Sequence, residues 1–139
     1  MKGRRVVVLA LVALLAAALA CSGGGSSHSF VTSRSSSGDS GRIEMKGSAN
    51  GTVSDEIEIA QNFPGATVDL EAVASVDSGQ YTIEFLDDSG YSVLGLDAVP
   101  GAPSRGTVTV VLNDDGAVPY ALTASDAEGV QIVISFKIQ

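Results

Sequence analysis

Residues 130–138, VQIVISFKI, put Val130, Ile132, Ile134, Phe136 and Ile138 on one side of an extended chain and Gln131, Ser135 and Lys137 on the other. Successive side chains of a strand point to opposite faces, so this period of two marks a strand with one buried and one wet face. The same period recurs upstream. Val53, Ile57 and Ile59 alternate with Glu56 and Glu58, and Val68, Leu70, Ala72 and Ala74 alternate with Asp69 and Glu71. Tyr81, Ile83 and Phe85 alternate with Thr82 and Glu84, Val108, Val110 and Leu112 with Thr107 and Thr109, and Tyr120, Leu122 and Ala124 with Ala121 and Thr123. No stretch after residue 41 has a helical period.

Turn residues fall between these runs. Asn50-Gly51 is a strong hairpin signal, because both central residues of a type I′ turn need positive φ. It predicts a hairpin joining a strand over 42–48 to one over 52–60. Later turns are marked by Phe63-Pro64-Gly65, Asp77-Ser78-Gly79, Asp87-Asp88-Ser89-Gly90, Asn113-Asp114-Asp115-Gly116 and Asp126-Ala127-Glu128-Gly129, and a weaker strand lies near 92–98. About eight strands at this spacing predict a single small antiparallel β-sandwich over 42–139, all-β, with jelly-roll or Greek-key connections. With one cysteine in the chain, no internal disulfide supports the fold, and the apolar core must do so alone.

The N-terminus has a different grammar. Lys2, Arg4 and Arg5 precede the uncharged run Val6–Ala20, fifteen residues long. As a helix it would reach roughly 22 Å, short of a ~30 Å hydrocarbon core, which fits a secretory signal better than a membrane span. Residues 1–20 are therefore expected to be a signal helix. Residues 21–41 follow as Cys21 and a flexible Gly/Ser linker, whose composition buries too little surface to offset chain entropy. Small residues at Ala18 and Ala20 also suit ordinary signal peptidase, but that cut would leave an unpaired thiol in an oxidising compartment.

The segment Ala18-Leu19-Ala20-Cys21 resembles the bacterial lipobox. The resemblance implies a lipoprotein whose Cys21 is acylated and becomes the mature N-terminus, with several chains holding it on a membrane. Ser22, where an Asp would signal inner-membrane retention, implies the outer membrane in an organism that has one.

Composition narrows the chemistry. Residues 42–139 hold four basic residues (Arg42, Lys46, Arg105, Lys137) and fifteen acidic ones, a net charge of −11. Such a surface repels nucleic acid and anionic lipid. The one histidine, His28, lies in the expected linker with no second histidine or free cysteine to join it. That removes transition-metal sites and leaves Ser or Thr without a base, so no enzyme is expected and no catalytic residue is assigned. Calcium is the only cofactor the residue types allow, with Asp87, Asp88, Asp114 and Asp115 as candidate ligands. Asp-Gly and Asn-Gly sequences are equally what plain turns use. Val73, Leu86, Val111 and Val133 fall on the outward side of their strands and would form a docking surface if gathered on one face.

Gly51-x-Val53-x-Asp55, the run Tyr81–Gly90, and Asp115-Gly116 leading into Tyr120-Ala121-Leu122 resemble the pre-peptidase C-terminal jelly-roll modules of bacterial proteases. The likeness to the GOLD sandwich is more distant. It covers 51–124, lacks the aromatic-rich second strand of those modules, and implies a sandwich with an accessory binding role and no particular site residue. The expected protein is a membrane-anchored envelope lipoprotein displaying a non-catalytic sandwich to a protein or glycan partner. The alternatives are an accessory module of a secreted hydrolase, or a calcium-dependent binding domain.

Overall fold

The alternating run at 130–138 is one half of a longer strand. In the computed structural model, which describes residues 26–139, the chain forms seven antiparallel strands. These are β1 (Ser27–Ser37), β2 (Ser40–Glu58), β3 (Thr67–Ser75), β4 (Ser78–Leu86), β5 (Ser92–Ala98), β6 (Ser104–Val111) and β7 (Ala117–Ile138). The expected signal segment 1–20 and Cys21 lie outside the described residues.

β2 and β7 pair along almost their whole length, Ser40 with Lys137 at one end and Glu58 with Ala117 at the other. Midway the ladder breaks register twice, between Gly47 and Ala49 and again between Ala49 and Gly51. There β7 spends one more residue than β2 at each step, so it carries two bulges and the paired strands bend. On one side of the bend, β1, the first half of β2, the second half of β7, β3 and β6 make a five-stranded layer. On the other side, the second half of β2, the first half of β7, β4 and β5 make a four-stranded layer. The two layers enclose one core.

The inner rows are those the alternation predicts. Ile43, Leu70, Ala72, Ile132, Ile134 and Phe136 come from the larger layer, and Val53, Ile83, Phe85, Leu96 and Leu122 from the smaller. No charged residue is buried among the described residues, and no buried side-chain N or O atom there lacks a partner. The Tyr81 hydroxyl bridges the layers, 2.9 Å from the Ser75 carbonyl and 3.2 Å from that of Gln131.

Three expectations need correction. Asn50-Gly51 is not a hairpin turn, because β2 runs straight through it, with φ of 84° at Gly51 inside the bend. Asp126–Gly129 is likewise the double bulge of β7, with positive φ at Asp126 (45°) and Gly129 (64°). In both places residues suited to positive φ serve a corner between layers rather than a reversal of the chain. The third concerns 21–41. Ser27–Ser37 is a strand joined to β2 through the two-residue turn Gly38-Asp39, so the sandwich begins well before residue 42. Composition hid β1: its burial is almost nil, and only Phe30 is half-buried against the core. Backbone pairing with β2 holds it, a force that side-chain polarity does not report. Two fused pairs and one added strand turn the expected eight into seven.

A mixed-charge face, an edge groove and two acidic turns

The outward row of each strand in the larger layer is fixed by register. Glu44, Val133, Val73 and Arg105 stand side by side across β2, β7, β3 and β6, and Arg42, Ser135, Glu71 and Thr107 form the next row. Lys46 and Lys137 flank these rows on β2 and β7. All four basic residues of 42–139 therefore lie on this one face. Only three of the fifteen acidic residues share it, Glu44, Asp69 and Glu71, and each is engaged. Glu44 meets Lys46 at 2.9 Å, Arg42 at 3.8 Å and the Gln131 side-chain amide at 3.2 Å. The Lys46 ammonium, as hydrogen-bond donor and as charge, holds the Glu44 carboxyl below its usual range. Asp69 accepts from Thr109 (2.7 Å) and Gln139 (2.9 Å), and Glu71 lies 3.8 Å from Arg105.

The face is not flat. One hollow of about 650 Å³ lies over Asp69, Thr107, Thr109 and Lys137, and a second of about 350 Å³ over Arg42, Val73, Arg105 and Val133. They adjoin, sharing Glu71 and Ser135. Of the four outward apolar residues, Val73 and Val133 are direct ladder partners at the floor of the second hollow. Val111 is on the same face at its far end, paired with Thr67, while Leu86 belongs to the other layer, paired with Ser92. The sequence does not reveal that the cations converge, because Arg42, Arg105 and Lys137 are far apart in the chain and meet only through register.

A groove of about 500 Å³ opens between β1 and the second half of β2, floored by Phe30, Met45, Ile57 and Tyr120. Asp55 breaks the inward apolar row between Val53 and Ile57 here, and its charge, after burial, raises the Tyr120 hydroxyl above its usual range. Arg34 reaches across to Glu58 at 3.7 Å. His28 lines the same groove with its ring 5.8 Å from that of Phe30.

The calcium candidates sit in two turns at one end of the smaller layer. The Asp87 side chain accepts from the amides of Ser89 and Tyr91, both at 2.9 Å. In the other turn Asn113 does the same for Asp115 (2.9 Å) and Ala117 (3.0 Å), and its amide donates to Glu56 at 3.1 Å. Asp88, Asp114 and Asp115 are not drawn together: among the described residues no three His, Cys, Asp or Glu gather as a metal site.

No family model matches the chain, and no curated protein sequence does. Among solved structures it is similar to a protein of the Bacillus endospore appendages that form disulfide-linked pili, at 14% identity and a TM-score of 0.47, covering 84% of this chain and 92% of that one. It is also similar to a CBM4 domain (13%, TM-score 0.36, 87% and 83% covered) and to the CBM22-1 xylan-binding domain of Paenibacillus barcinonensis Xyn10C (10%, TM-score 0.34, 83% and 82% covered). At these scores the likenesses carry no weight beside the ladders of the chain itself.

Proposed function

We propose that this chain is an envelope lipoprotein, anchored through acylated Cys21, whose sandwich binds a protein or glycan through the outer face of the five-stranded layer. It is read as a binding protein and not an enzyme. One observation carries the choice of face: every basic residue of 42–139 stands on it around Val73 and Val133, with its carboxylates already engaged. Elsewhere in 42–139 twelve carboxylates have no cation from that segment beside them, so a ligand with acidic groups is favoured here and repelled there. Guanidinium donors, hydroxyls of Thr107, Thr109 and Ser135 and a small apolar floor are what a polar, partly charged partner needs.

The early start of β1 sets the standoff. Five residues separate Cys21 from Ser27, six chain steps with a reach of at most about 20 Å, so the sandwich works close to the membrane. Two experiments test the two halves separately. A Cys21→Ser chain still recovered in the membrane fraction would overturn the anchor. In-cell cross-linking of the full chain against its Val133→Asp/Arg105→Glu variant tests the face, and an unchanged set of cross-linked partners would remove it.

A further inference from the structure

The sandwich has four strand edges, and three are guarded. In the larger layer β6 turns its flank toward β5, where Leu94 packs on Gly106, which also occupies the β5 edge. The free half of β2 in the smaller layer carries Asp55, Glu56 and Glu58, and charge on an edge discourages pairing. β1 is the least guarded, its one charged residue, Arg34, being engaged with Glu58 at 3.7 Å. All eleven of its residues pair with β2 without a break in register, so it is unbulged, and it contains no proline and no acidic residue. Nothing among the described residues covers its outer side.

The hairpin turn fixes which backbone groups are free. A two-residue turn at Gly38-Asp39 makes Ser37 and Ser40 a pair that exchanges both hydrogen bonds. Odd-numbered residues of β1 then bond to β2, and His28, Phe30, Thr32, Arg34 and Ser36 direct their N–H and C=O outward. We propose that this edge pairs with β1 of a second copy of the chain, antiparallel, about a two-fold axis at Thr32. Symmetry permits that centre because Thr32 is one of the outward residues, so two copies of it can exchange both bonds. Pairing about it uses the whole strand, sets Arg34 opposite Phe30 of the second copy and His28 opposite Ser36, and opposes no like charges. A second copy is the occupant the strand suits: β1 and β6 are the edges without a carboxylate, β6 is turned onto β5, and β1 is thus the exposed edge at which two net-negative chains meet without facing carboxylates. The product is one continuous ten-stranded layer, with the mixed-charge faces of both copies side by side. One strand pair is a small interface, below about 1,200 Å² in total, so association is weak, with a Kd of about 10–100 µM.

The test uses the full chain in detergent with Cys21→Ser, so that an introduced thiol is the only one. Single cysteines at Ser27, Ser29, Val31, Thr32, Ser33, Ser35 and Ser37 are oxidised in turn. Disulfide-linked dimer should peak at 31–33 and vanish at both ends, where equivalent residues stand roughly 33 Å apart. In sedimentation, Thr32→Pro, which removes an amide β2 does not use, should weaken dimerisation at least tenfold with an unchanged circular dichroism spectrum. Should that variant misfold, Thr32→Glu at the same exposed position sets two carboxylates against each other and should act alike. A parent chain monomeric at about 0.3 mM, a flat thiol profile or one peaking at Ser27 or Ser37, or undiminished dimer in a folded Thr32 variant would each overturn the proposal.

Discussion

The amide of Asp126 donates to the side-chain oxygen of Asn50 at 3.1 Å, joining residues 76 apart at the corner where β2 and β7 pass from one layer to the other. Asp126 is the sole non-glycine with positive φ among the described residues. An L-residue pays for that conformation, and the Asn50 bond offsets part of the cost. Asn50→Ala is expected to lower stability by about 1 kcal/mol, read as a lower urea midpoint at unchanged slope. Gly79, also at positive φ (72°), lies against the Asp126 backbone carbonyl, which cannot swing aside as a side chain can. Gly79→Ala should therefore cost more, at least about 2 kcal/mol, in the same titration.

Tyr81 gives the sandwich an alkaline limit. Burial pushes its hydroxyl well above the usual range, and its neutral form donates to the carbonyls of Ser75 and Gln131. The folded state then holds a proton that the unfolded chain releases near pH 10, so this stabilisation is complete below about pH 10 and falls as pH rises beyond it. Tyr120, raised by burial and by Asp55, acts in the same direction. Thermal midpoints should drop steeply above about pH 10, and less steeply in Tyr81→Phe, which at neutral pH should lose about 1–2 kcal/mol for the two carbonyls it abandons.

Much of this was legible beforehand, and the failures share one cause. Inner rows such as Val68–Leu70–Ala72–Ala74 and Val130–Ile132–Ile134 read correctly because burial selects side chains at a period of two. Asn50-Gly51 and Asp126–Gly129 signal positive φ, and a sequence does not say whether positive φ will serve a turn or a bulge. β1 escaped because its place depends on backbone bonds to β2, although Gly38-Asp39 was a legible two-residue turn. The convergence of Arg42, Arg105 and Lys137 needed the register of four strands, which no single run of residues encodes.

The acidic turns are predicted to act as turns. Asn113 ties two amides and Glu56, so Asn113→Ala should lose about 1–2 kcal/mol, and Asp87→Ala about 1 kcal/mol for two amides. Asp88→Asn and Asp115→Asn, which make no such bonds, should be near neutral. Calcium at millimolar concentration should leave the thermal midpoint where a chelator leaves it, since a native-state ligand necessarily raises it. A calcium-dependent rise abolished by Asp115→Asn would make this end of the sandwich a metal site.

Phe30 is the one residue of β1 that reaches the core, and it decides how firmly that strand is held. Phe30→Ala removes apolar contact that no other β1 side chain supplies, leaving the β2 ladder and the exposed Arg34–Glu58 pair, which is worth little in water. The strands that build the core are untouched by this change, so the consequence is local opening of β1 and not global unfolding. Amide exchange at the odd-numbered residues of β1, whose N–H groups face β2, should speed up about tenfold or more, while exchange in β3 and β7 stays at the parental rate. Equal acceleration throughout would mean that β1 is an integral part of the cooperative unit. In that case the sandwich cannot fold without the segment that links it to Cys21, and shortening the step between anchor and domain would cost stability as well as reach.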